Sequence, residues 1–187
     1  RWGRKTVGLM AGAGSESAQP LLSPLYYVSR ALEPYTEISE PADTAALKAL
    51  LDQGLSMLVL ADIGVLPAEQ QDLIARWVDN GGMLVRFAGP RLAGAQDTLV
   101  PVTLREGGRS LGSALSWETP QAMQAFPEKS PFAGLTADPA VKVTRQVLAE
   151  PDSDLPGKVW ASLEDGTPLV TAKKQGKGEI VLFHVTA

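Results

Sequence analysis

The chain has no cysteine, a single histidine, few aromatic residues and no long hydrophobic run. Each scarcity removes a class of chemistry. Without cysteine there is no disulfide, no thiolate metal site and no thiol nucleophile, although such a domain suits oxidising and reducing compartments alike. With His184 as the only histidine, any histidine-based acid–base scheme rests on that residue. A metal would need an all-oxygen ligand set, and no acidic cluster has the spacing of a calcium loop. No stretch reaches the roughly 18 apolar residues of a membrane-spanning helix; the longest, Leu55–Leu66, is broken by Asp62. A signal peptide is not visible either. Charge of one sign is also lacking: 17 basic and 21 acidic residues are mixed along the chain, giving −4. That balance makes no field to gather phosphates, which argues against nucleic acid as a partner. The small basic group Lys173, Lys174 and Lys177 flanks a predicted turn and reads as a solvated hairpin tip.

What is present suits one domain with a real core: 187 residues, 44% hydrophobic and 20% charged. Lys5–Ala11 is a short apolar run that predicts a buried strand. After a Gly/Ser-rich loop, Ser23 and Pro24 offer a helix start, with Leu25, Val28 and Leu32 at helical spacing. Tyr35–Ser39 reads as a second strand. Asp43 caps a helix carrying Leu47, Leu50 and Leu51, closed by Gly54, and Ser56–Ala61 is a third strand. Pro67 opens a helix whose Leu73, Ile74, Trp77 and Val78 form one stripe; Asn80-Gly81-Gly82 ends it before the strand Met83–Phe87. Strands alternating with helices predict right-handed crossovers and a doubly wound, mainly parallel sheet. Residues 91–158 are looser, with strands expected at Val100–Arg105 and Val141–Leu148. A closing antiparallel meander is expected from Val159–Leu163, Leu169–Lys174 and Ile180–Val185.

The segment LPAEQQDLIARWVDNGGMLVRFAG (Leu66–Gly89) resembles the helix–GG–strand unit of class I glutamine amidotransferase-like domains, and GTPLVTAKKQGKGEIVLFHVTA (Gly166–Ala187) resembles their closing hairpin. With SPFAGL (Ser130–Leu135) and RQVLAEPDSDL (Arg145–Leu155), the chain is similar to one branch in particular. These are large bacterial membrane proteins of unknown function with a Bat-type (aerotolerance-like) N-terminal double-transmembrane segment. The resemblance implies a flavodoxin-like α/β fold and a membrane-anchored parent, and by analogy with the Bat-like arrangement a periplasmic side. It implies no activity. The expected organisation is a single domain over 1–187, with a core at about 5–90 and 159–187 and a strand-rich excursion at about 91–158. A start at Arg1 and an end at Ala187 suggest a piece of a longer protein.

In a doubly wound sheet ligands sit beyond the carboxyl ends of the strands, which here carry Gly12–Ser17, Asp62-Ile63-Gly64 and Ala88-Gly89-Pro90-Arg91. Ser15, Asp62, Gly89 and Arg91 are therefore the candidate ligand-binding residues. Asp62 could bind a polar ligand or cap the loop Ile63–Leu66; Arg91 could meet an anion or pair with a surface carboxylate. A working amidotransferase would place its cysteine on a strand-to-helix turn beside a histidine and an acid. Here that turn offers Ala88, Gly89 and Pro90, and Pro90 removes an N–H that an oxyanion hole could have used. Gly108-Arg109-Ser110-Leu111-Gly112 matches G-x-S-x-G in letters but lacks the flanking strand and helix of a hydrolase elbow. Gly12–Ser17 approximates a dinucleotide fingerprint without its third glycine or a prompt helix. His184 reads as a core histidine with a satisfied hydrogen bond or as an acid–base group.

The expectation is a non-catalytic binding or interaction domain with no cofactor and no metal. Its partners would be other domains of the same polypeptide, envelope proteins or a small polar ligand. The alternatives are a hydrolase or transferase using Asp62 or Ser110 with His184, and a structural spacer.

Overall fold

A computed structural model of the chain describes residues 4–12, 23, 25–95, 97–105 and 114–187, with 114–119 in backbone only. The elements are β1 (Lys5–Ala11), α1 (Tyr26–Leu32), β2 (Thr36–Ser39), α2 (Thr44–Asp52), β3 (Met57–Ala61), α3 (Ala68–Asp79), β4 (Met83–Phe87) and α4 (Pro90–Ala93). They continue with β5 (Ala114–Ala122), β6 (Lys142–Val147), α5 (Leu155–Lys158), β7 (Val159–Ser162), β8 (Pro168–Gln175) and β9 (Gly178–Phe183).

Seven strands form one sheet in the order β2-β1-β3-β4-β9-β8-β7. The first five are parallel; β8 and β7 then join antiparallel. β5 and β6 make a separate antiparallel pair. The register shows why both sheet faces are apolar. Leu58, Leu84 and Ile180 stand in one row and pack under Leu47 and Leu51 of α2 and Ile74 and Val78 of α3. Val59, Val85 and Val181 stand in the next row and face Leu25 and α1's Val28 and Leu32. A third cluster joins α4's Leu92 and Ala93 to Val102, Leu104, Val147, Ala149 and Leu182. It fastens the stretch between β4 and β9 to the sheet.

Local signals in the first half are obeyed closely. The Asp43 side chain accepts from the Ala46 N–H at 2.7 Å and starts α2. Gly81, at φ 117°, makes the left-handed stop after α3. Several expectations need correction. The flavodoxin-like, doubly wound class does not describe this molecule: its sheet is mixed, and residues 88–177 separate the neighbouring parallel strands β4 and β9. The tight turn before Gly178 forces β8 to run back beside β9, so the winding that builds β1 to β4 is not continued. Val100–Arg105 is not a strand; Leu104 makes only an isolated bridge with Ala149. α1 starts at Tyr26, with the Ser23 hydroxyl accepting from the Leu25 N–H at 3.3 Å. β5 and α4 escaped the sequence reading.

Candidate functional site

Beyond the carboxyl ends of β1, β3 and β4, Gly12 meets Asp62, Gly89 and Arg91. A Cβ on Gly12 would lie 2.8 Å from both the Asp62 carbonyl oxygen and Arg91 Nη1, and one on Gly89 would lie 2.5 Å from the Asp62 carboxylate. Only glycine permits that approach. Asp62 adopts a left-handed backbone (φ 45°), which aspartate tolerates better than most residues. Its carboxylate accepts from the backbone N–H of Leu92 at 3.0 Å and of Arg91 at 3.5 Å. Asp62 thus caps α4, and not the loop Ile63–Leu66. The N–H groups that could have faced a developing oxyanion are aimed at a carboxylate instead. The Ala88 N–H is also engaged, donating to the Phe183 carbonyl at 2.9 Å. Gly89 is buried and Arg91 exposed, with the Arg91 guanidinium lying over Gly12. Ser15 and Ser110 lie outside the described residues.

His184 stands just past the end of β9 and is fully buried. Its Nδ1 lies 2.8 Å from the Val147 carbonyl and its Nε2 2.9 Å from the Thr171 hydroxyl. The carbonyl can only accept, so Nδ1 carries the proton and Nε2 accepts from Thr171. The backbone repeats the pairing: the Val147 N–H donates to the His184 carbonyl at 2.8 Å. Burial holds the imidazole pKa down at about 4, against a smaller upward pull from the Val147 carbonyl. The ring is neutral at ordinary pH and ties β6 to the main sheet. Neither ring nitrogen is bonded to Asp62.

The strongest buried charge is one the sequence reading passed over. Arg86, the fourth of the five residues of β4, is fully buried and pairs with Asp97 at 2.7 Å. It also donates to the Ile63 carbonyl at 2.8 Å and the Leu99 carbonyl at 3.1 Å. The second Asp97 oxygen accepts from the Leu99 N–H at 2.8 Å. Burial pulls the Arg86 pKa down, and the Asp97 carboxylate acts against it. The signal was legible: an arginine within MLVRF, a strand otherwise apolar on both faces, must bring its own partner.

Beside α4 lies a cavity of about 610 Å³, bounded by Leu92, Asp97, the stretch 100–104, Lys158 and Lys173. Lys173, expected at a solvated tip with Lys174 and Lys177, is half-buried on β8. Its pKa is lowered by burial first and by the neighbouring Lys158 second, with Asp97 opposing. It donates a long hydrogen bond, 3.4 Å, to the Thr98 carbonyl. Sequence reasoning missed this site because loop 97–104 carries no motif. Among the described residues, no three histidine, aspartate or glutamate side chains gather to hold a metal ion.

No family model matches the chain, and no curated protein does. Solved structures do. A cytoplasmic protein from Salmonella typhimurium superposes with a TM-score of 0.66 at 15% identity, covering 97% of this chain and 87% of that one. A second cytoplasmic protein, from Salmonella typhimurium LT2, gives 0.64 at 13% identity over 97% and 88%. A β-galactosidase from the haloarchaeon Halorubrum lacusprofundi gives 0.60 at 12% identity, covering 98% of this chain and 28% of the enzyme. Identities this low speak to fold alone. The fold is that of these proteins, with a mixed sheet, which again replaces the flavodoxin-like expectation. These three are named as cytoplasmic proteins and a glycosidase, so the expected glutamine amidotransferase-like and membrane-protein labels find no support among them. Among the described residues no helix is long and apolar enough to cross a membrane.

Proposed function

We propose that this chain is a non-catalytic domain that binds a small ligand or neighbouring domains. The observation that carries the reading is the state of His184. The one histidine in the chain is buried, neutral and bonded at both ring nitrogens. A general base must reach the proton it removes, and this imidazole has no free nitrogen to offer. Asp62, the best-placed carboxylate, is likewise engaged with the N-terminus of α4. The alternative of Asp62 or Ser110 working with His184 would require the His184 ring, and for the first pair the Asp62 carboxylate, to leave these partners. The recurrence of the fold as 28% of a β-galactosidase chain supports a unit that serves beside other domains.

The test is turnover. The purified chain is incubated with chromogenic esters, amides and glycosides and with glutamine. The expected outcome is no hydrolysis above buffer. Hydrolysis that disappears in Asp62→Asn or His184→Gln would overturn the reading.

A further inference from the structure

The cavity beside α4 holds four charged side chains, and they differ in what they already touch. Asp97 has both oxygens engaged, one by Arg86 and one by the Leu99 N–H. Asp152 is turned to its own loop, its Oδ1 accepting from the Ser153 hydroxyl at 3.2 Å and the Asp154 N–H at 3.3 Å. Lys158 and Lys173 form no ion pair among the described residues. Two ammonium groups close enough to oppose each other's charge thus border a cavity in which Asp97 is paired with Arg86 and exposed Asp152 bonds to its own loop through Oδ1. Leu92, Val100, Val102 and Leu104 supply the apolar part of the wall. A volume of about 610 Å³ suits a small organic molecule.

We propose that this cavity binds a small organic anion, its carboxylate or phosphate head bridging Lys158 and Lys173 and its apolar body lying against Leu92, Val100 and Leu104. An anion placed there relieves the repulsion between the two lysines, and lysine suits such heads as a compact point charge. The apolar wall explains why a bare inorganic ion would use only part of the site. This assignment deepens the binding reading above and rests on it.

The test uses three probes with one six-carbon body: hexanoate, hexyl phosphate and hexanol, with inorganic phosphate as a fourth. Each is titrated into the 187-residue chain at low ionic strength and followed by backbone amide shifts and thermal unfolding. The expected result is saturable binding of hexanoate, hexyl phosphate or both, with shifts at residues 97–104, 158 and 173. The arm that binds more tightly identifies the head group. Lys173→Met together with Lys158→Met should weaken binding by at least about tenfold, and Lys173→Gln alone should weaken it in part. Unfolding temperatures establish that each variant is folded. Three results would overturn the proposal: neither anion binds at millimolar concentration, hexanol binds as well as the anions, or the folded double variant binds as tightly as the parent. Binding of inorganic phosphate as tight as hexyl phosphate would overturn the role of the apolar wall. A failure here with no turnover in the hydrolysis assay removes the ligand and leaves the non-catalytic reading standing; turnover removes that reading instead.

Discussion

Two sets of charged groups near α4 are used in opposite ways. Toward the carboxyl ends of the parallel strands, Asp62 caps the helix, and deeper in the sheet Arg86 holds Asp97 together with two backbone carbonyls. Toward the antiparallel edge, Lys158 and Lys173 stand half-buried at a cavity and form no ion pair among the described residues. The first set is structural: its groups complete hydrogen bonds that the fold would otherwise leave open. The second adds charge repulsion that folding does not need. A polar group's place in a rim or cleft therefore says little about function until its partners are known.

That contrast can be broken or sharpened by mutation. The largest effect is expected at Arg86→Met, which leaves the Asp97 carboxylate buried and unpaired and should cost about 3–5 kcal/mol in urea unfolding. A cost no greater than that of a surface substitution would mean the pair is not structural. Next is acid. The His184 pKa is depressed by burial from 6.5 to about 4 in the fold, so the unfolded chain binds the proton more readily. Stability is complete above pH 6.5 and falls as the pH drops toward 4, by up to roughly 3 kcal/mol. Because no other histidine exists, the decline between pH 6.5 and 5 should flatten in His184→Gln when unfolding is followed against pH. Asp62→Ala should cost about 2 kcal/mol, combining a lost cap with alanine in a left-handed conformation. Asp62→Gly should cost less, and denaturant midpoints for the two variants measure the difference. Smallest is Lys173→Met, expected to leave stability within about 0.5 kcal/mol of the parent. A loss of several times that would place Lys173 with the structural charges.

The same contrast marks what the sequence could disclose. β1, α2, β3, α3 and β4 were legible because their apolar patterning is strong and Asp43, Pro67 and the Gly81-Gly82 pair mark helix boundaries among them. The meeting of Gly12, Asp62 and Gly89 was foreseeable from topology, since parallel strands deliver their following loops to one end. The role of Asp62 was not, because α4 is a single turn without a periodic pattern. The antiparallel run of the closing strands was expected from its turns, but the place of β9 between β4 and β8 was not, because apolar strands read alike wherever they lie in a sheet. Val100–Arg105 looked like a strand because Val100, Val102 and Leu104 alternate. In the fold that alternation serves the cavity wall and the third core cluster, while the backbone pairs only at Leu104. Lys173 was misplaced since its surroundings include Thr98, far away in sequence.

The position of β9 has a consequence for the order of assembly. It is the last strand in the sequence yet lies inside the sheet, between β4 and β8. A ribosome would release β1 to β4 long before their parallel neighbour existed, leaving the β4 edge unpaired while residues 88–177 were made. Unpaired apolar edges invite association with other chains. Until its final strand arrives, this chain is a sheet with a missing centre, and His184 and Val147 can lock the intervening segment only after that strand is in place.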